Sequence, residues 1–161
     1  MPDRRAIQSG VALVVVMILL GALLALALSA IQASALETVM TGNESYRARA
    51  LAAADAALAQ ATAALVANGG TGSPPSAADV AMPGENADTY QYDVADLGND
   101  ARLAELSEGH QVGHHYTITA VGHSLRGATV GVEAGLLMVI DSGSGELVAA
   151  RRTYWRRSDL D

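Results

Sequence analysis

The sequence predicts an α+β fold. One long N-terminal helix, apolar first and amphipathic later, lays its second half on a small antiparallel β-sheet. Three observations predict it. From Val11 to Ile31 no residue is charged, and the next charge is Glu37. Leu51, Leu58 and Leu65 then recur every seventh position with Ala54 and Ala61 between them, which is one face of a helix. Beyond residue 88 the pattern changes to strict alternation, as in Tyr90, Tyr92 and Val94 against Gln91 and Asp93, which is the period of a strand.

The first run is long enough to matter. At about 1.5 Å per residue it spans about 30 Å, the hydrocarbon thickness of a bilayer. The leader before it, MPDRRAIQSG, carries Arg4 and Arg5 and ends in Gly10. Arginines on that side alone keep the leader cytoplasmic and send the remainder across the membrane. Three fates are open to the segment. A secretory signal would be cut after Ala27 or Ala35, where small-x-small triplets occur, although the apolar run exceeds an ordinary signal's. A signal anchor would stay uncut. Cleavage after Gly10 would remove the basic leader and leave the apolar helix on the mature chain. The abutment of Gly10 on the apolar run favours the third.

From Gln32 to about Ala67 the chain continues as helix, rich in alanine, the strongest helix former. Leu51, Ala54, Leu58, Ala61 and Leu65 form the expected packing seam, with Asp55, Gln60 and Thr62 off it. Gly42 and Asn43 interrupt this stretch, since an interior glycine costs a helix about 1 kcal/mol relative to alanine. They read either as a tolerated irregularity or as a joint between membrane helix and domain. Asn68-Gly69-Gly70 and Pro74-Pro75 end the helix. Residues 69–88 read as an irregular loop. After Tyr90–Val94, a short helical turn is expected over 100–107, and Tyr116, Ile118 and Ala120 mark a second strand. A turn over 122–127 leads to a third strand, 128–140, and Asp141-Ser142-Gly143-Ser144-Gly145 to a last one ending near Trp155. The expected sheet has three or four strands. The expected division is 1–10 leader, 11–36 apolar helix, 37–67 amphipathic helix and 68–161 globular domain.

Composition narrows the function. The formal charge is −7 over 161 residues, and removal of the leader leaves 8 basic against 16 acidic residues. Such a surface argues against nucleic-acid binding, which needs clustered positive charge. There is no cysteine and no Phe, and Trp155 is the single tryptophan, so the core must be aliphatic with tyrosines. His110 and His114 stand at a zinc-like spacing if helical, but Gly109 and Gly113 break helix there. His110, His114, His115 and His123 are therefore read as solvated. No G-x-S-x-G elbow or phosphate loop occurs, so no enzyme, cofactor or metal site is expected. Arg151, Arg152, Arg156 and Arg157 cluster near the end. They read as charges that keep an edge strand soluble, as a strip for docking an acidic partner pilin or adhesin, or, least favoured, as a contact for DNA during uptake.

Residues 8–66 resemble the N-terminal region of type IV pilins, and among them the PilX-like minor pilins. The resemblance rests on the leader ending in Gly10, the span GVALVVVMILLGALLALALSA and the element Glu37-x-x-Met40-x-Gly42-Asn43 in that order. Asp55 stands where the family usually has glutamate. The resemblance implies a lollipop-shaped pilin, cut by prepilin peptidase between Gly10 and Val11 and N-methylated at Val11. It implies a single-pass inner-membrane protein with a periplasmic domain that later enters the pilus, near the tip, at the cell surface. Its partners would be other minor pilins, the major pilin, the inner-membrane assembly platform and a tip adhesin, with a part in cell adhesion. Most pilins have glutamate at the fifth residue after cleavage, where it neutralises the ammonium of the preceding subunit. Here that position is Val15, which fits a first-in subunit that primes assembly. The alternatives are a tip pseudopilin of a type II secretion system, a class with larger domains, and a membrane-anchored or secreted binding module that never enters a filament.

Overall fold

The computed structural model describes residues 4–70, 73–84, 87–107 and 109–158, with side chains from residue 12 onward. The fold is α+β: a 64-residue helix α1, Arg4–Ala67, is followed by a five-stranded antiparallel sheet. Two compact units divide after Asn43.

The first unit is bare helix. Every large apolar side chain from Leu13 to Met40 is 50–68% exposed. Three of its hydroxyls are satisfied locally: Ser29 donates to the Ala25 carbonyl at 2.9 Å, and Thr38 and Thr41 donate to the carbonyls four residues back. That bonding pairs these three donors within the helix itself. By length and composition the helix can cross a membrane.

The second unit holds the rest of α1 and the sheet. The helix closes in a Schellman arrangement, with the Gly70 amide on the Leu65 carbonyl and the Gly69 amide on Val66, both at 3.1 Å. Gly69 and Gly70 take positive φ of 60° and 67°, which only glycine adopts cheaply. The strands are β1 Ala77–Ala81, β2 Thr89–Asp100, β3 Gln111–His123, β4 Thr129–Asp141 and β5 Leu147–Ser158, paired in sequence order. The helix α2, Ala101–Leu106, links β2 to β3 and is capped by Asp100, whose Oδ1 accepts from the Arg102 and Leu103 amides. Asp141 Oδ1 organises the β4–β5 turn by accepting from the Gly143 and Ser144 amides.

Two sequence expectations are corrected here. The segment 69–88 is not wholly irregular, because β1 lies within it and pairs with β2. The sheet therefore has five strands, not three or four. Within the strand the φ of Asp79 is +51° and the register slips between Ala77 and Val80, so no clean alternation announces it. Residues 71, 72, 85 and 86 of that segment lie outside the described residues, as do residues 1–3 of the leader.

The core lies where α1 crosses β2, β3 and β4. Leu58, Ile118, Met138 and Val132 are its largest fully buried side chains. Of the predicted seam, Ala54, Leu58, Ala61 and Leu65 are buried and Leu51 is partly so. Ala50, Ala53 and Ala57 are also buried, so the helix face toward the sheet is mostly methyl groups. That flat face brings helix and sheet close. A Cβ at Gly122 in β3 would strike the Ala50 carbonyl and stand 2.5 Å from the Ala54 amide.

Candidate functional site

The apolar N-terminal helix is the first functional element. Gly10 and Val11 fall on its helical backbone, before the described side chains. Val15 is 50% exposed and has only apolar neighbours in sequence. Gly42 and Asn43 lie in unbroken helix, at the point where the two compact units divide.

A second element locks α1 onto the sheet domain. Asp88, between β1 and β2, is 7% exposed. It accepts from Arg49 Nη2 at 2.7 Å, from Arg49 Nε at 3.0 Å and from Ser124 Oγ at 2.6 Å. Bonding from Ser124, aided by Arg49 and opposed by burial, holds its carboxyl below the usual carboxylate range. Arg49 and Arg126 both sit over the Tyr46 ring, at 6.0 and 5.5 Å from its centroid. Three stretches far apart in sequence thus meet on one carboxylate. Sequence reasoning missed this clamp. The available signal was Arg49 itself, a charge beside the buried position Ala50 on an apolar helix.

The third element is β5, which carries the predicted arginine strip. The structure places all four arginines on this edge strand but divides them between its faces. Cross-strand partners share a face. Arg152 and Arg157 are paired with Leu136 and Val132 of β4, on the side that α1 packs against, whereas Arg151 and Arg156 are paired with Leu137 and Glu133 on the other. Among the described residues Arg156 alone of the four has an acidic partner, with Nη2 2.9 Å from both oxygens of Glu133. Tyr154 lies over Gly135 and donates to Glu133 at 2.8 Å. That bond, then Arg156, lowers the Glu133 carboxyl below its ordinary range. From Val148 to Arg157 every residue of β5 is exposed. Beside it, Glu44, Arg47, Ala48, Leu51 and Arg157 line a trough of about 390 Å³.

The histidines do not converge. His110 precedes β3, His115 meets Asp100 at 3.2 Å, His123 meets Thr129 at 3.2 Å, and His114 stacks on Tyr116. The helical spacing that would have aligned His110 with His114 is absent because β3 is extended there. Among the described residues no group of three or more metal-ligating side chains is assembled.

Known families meet this chain at its N-terminal end. The PilX N-terminal family model matches residues 9–59, which include the apolar helix, Gly42-Asn43 and most of the packing seam. No curated protein and no solved structure matches the chain.

Proposed function

We propose that this chain, which carries the N-terminal region of a PilX-like type IV pilin, works as a minor pilin that primes pilus assembly. One observation carries the reading: the family match falls on a helix whose apolar side chains are bare from Leu13 to Met40. Such a surface needs lipid or other apolar helices around it. In this reading prepilin peptidase removes residues 1–10, Val11 becomes the methylated amino terminus, and the helix passes from the inner membrane into a filament core. Gly42 and Asn43 act as the joint between that core helix and the sheet domain. The role is structural, with no catalytic step assigned to the chain. Its partners are other minor pilins, the major pilin, the assembly platform and an adhesin at the tip.

Mass spectrometry of the mature amino terminus tests the processing step. N-methylated Val11 is the expected result. An intact Met1, or a start after Ala27 or Ala35, would remove the chain from the pilin pathway.

Val15 supports the priming role on energetic grounds. A carboxylate in a membrane helix costs up to about 2.5–3.5 kcal/mol, the figure for the helix centre, and pairing with the ammonium of a preceding subunit offsets part of that cost. A first subunit has no predecessor, so valine is the cheaper residue. Labelled wild-type protein is expected at filament tips. Val15→Glu is expected to spread along shafts, with pilus number reduced severalfold. Identical distributions for the two proteins, with no tip enrichment of the wild type, would sink the priming role.

A further inference from the structure

The two edges of the sheet are built differently. β1 has five residues, a register slip, a positive-φ Asp79 and Pro74-Pro75 just ahead of it. Such an edge resists strand addition. β5 has twelve residues and lies open on both faces from Val148 to Arg157. Helix α1 covers β2 to β4, so the α1 side of β5 is left beside the trough bounded by Arg47 and Leu51.

Charge alone would be enough to keep such an edge soluble, but β5 carries more than charge. The chain's single tryptophan, Trp155, is 43% exposed and Tyr154 is 40% exposed. Trp155 shares its face with Arg152 and Arg157. Tryptophan, tyrosine and arginine together are the residues that dominate binding energy at protein interfaces. Arg151, Arg152 and Arg157 make no ion pair among the described residues, and Arg156 alone is satisfied.

We propose that β5 is a docking edge to which an extended, carboxylate-bearing segment of a neighbouring pilus subunit adds as a sixth strand. The free edge of β5 supplies main-chain hydrogen bonds, Arg151, Arg152 and Arg157 select carboxylates on the incoming strand, and Trp155 covers its apolar positions. A second copy's β5 is excluded, because pairing the two strands would set arginine against arginine. A second copy's β1 is excluded by its shortness and its bulge. The proposal rests on the minor-pilin reading, since it takes another pilus subunit as the partner.

The test places a photo-cross-linking amino acid at Ala150, or separately at Leu26, in the full chain expressed in its native cells. From Ala150 the expected adduct is with another pilus subunit, at an extended stretch containing two or more Asp or Glu. In a variant carrying Arg151→Glu, Arg152→Glu and Arg157→Glu that adduct falls by about tenfold or more, because like charges now face each other. The corresponding Lys variant retains it. All three side chains are exposed, so the domain folds in both variants. Adducts at Leu26 are unchanged by either variant. The docking edge is overturned if Ala150 adducts survive the Glu variant, map to a helix or to a second copy of this chain, or are missing while Leu26 still cross-links to pilus subunits. That last pattern leaves the pilin reading intact. Absence of pilus-subunit adducts at both positions overturns both readings.

Discussion

Gly122→Val is expected to destabilise the sheet domain by about 3 kcal/mol, the upper part of the range for overpacking a core. The cause is backbone, not side chain. A Cβ at position 122 would strike the Ala50 carbonyl and crowd the Ala54 amide and Ala53 Cβ, at 2.5 and 3.0 Å. A side-chain neighbour can change rotamer, but a helix backbone can yield only by moving the whole element. Lifting α1 would also loosen Leu58 against Ile118 and Val132, which are now fully buried. Gly122 has no positive φ, so its role is closeness of approach and not a special backbone conformation. Thermal unfolding of the full chain in detergent micelles, followed through Trp155, measures the effect. A fall of about 10 °C is expected for a domain of this size. A change of less than about 1 kcal/mol would show that helix and sheet are not locked at this crossing.

Asp88→Ala is expected to cost about 2–3 kcal/mol. Breaking a fully buried ion pair costs about 3–5 kcal/mol, and the figure is reduced here because the Arg49 side chain is 30% exposed. The substitution strands Arg49 and the buried Ser124 hydroxyl together. Acid should act through the same residue. The folded Asp88 carboxyl titrates below its unfolded value, which is about 3.9. Between the two values the unfolded chain binds more protons than the folded one, so stability falls as pH falls. The contribution is therefore complete above about pH 4–5 and lost as pH drops through the folded pKa. Glu133, Asp100 and Asp141 are shifted in the same direction and add to the acid sensitivity. Asp88→Asn should flatten the acid limb of the stability curve relative to wild type. An unchanged acid limb, or full stability of Asp88→Ala, would show that the clamp does not hold the helix.

The helix and the strands β2 to β4 were legible because their burial follows simple periods, whereas β5, exposed along its length, was announced by the turn at Asp141–Gly145 before it. Leu58 and Leu65 announce the seam, and Tyr116, Ile118 and Ala120 announce the inner face of β3. Ala50, Ala53 and Ala57 were hidden because alanine reads as helix propensity whether it is buried or not. β1 was hidden because prolines and glycines bracket it and its bulge spoils the alternation. The clamp was out of reach for another reason. Arg49, Asp88 and Ser124 are brought together by the fold, and no local pattern links them. The arginine strip was visible as a cluster, but its division between two faces depends on the register of β5 against β4. That register includes slips beside Gly135 and Val139, which spacing does not reveal.

A helix with its large apolar side chains at least half exposed from Leu13 to Met40 is a solute that water rejects, at about 25 cal/mol for each Å² of apolar surface. Lipid tails and the helices of other subunits are, by contrast, nearly equivalent hosts for it. In the minor-pilin reading proposed above, apolar transfer keeps such a helix out of water and does not by itself choose between bilayer and assembly. If β5 docks a neighbouring subunit as proposed, the choice of host then falls to terms outside the apolar segment, among them a few arginines and one tryptophan on a sheet edge.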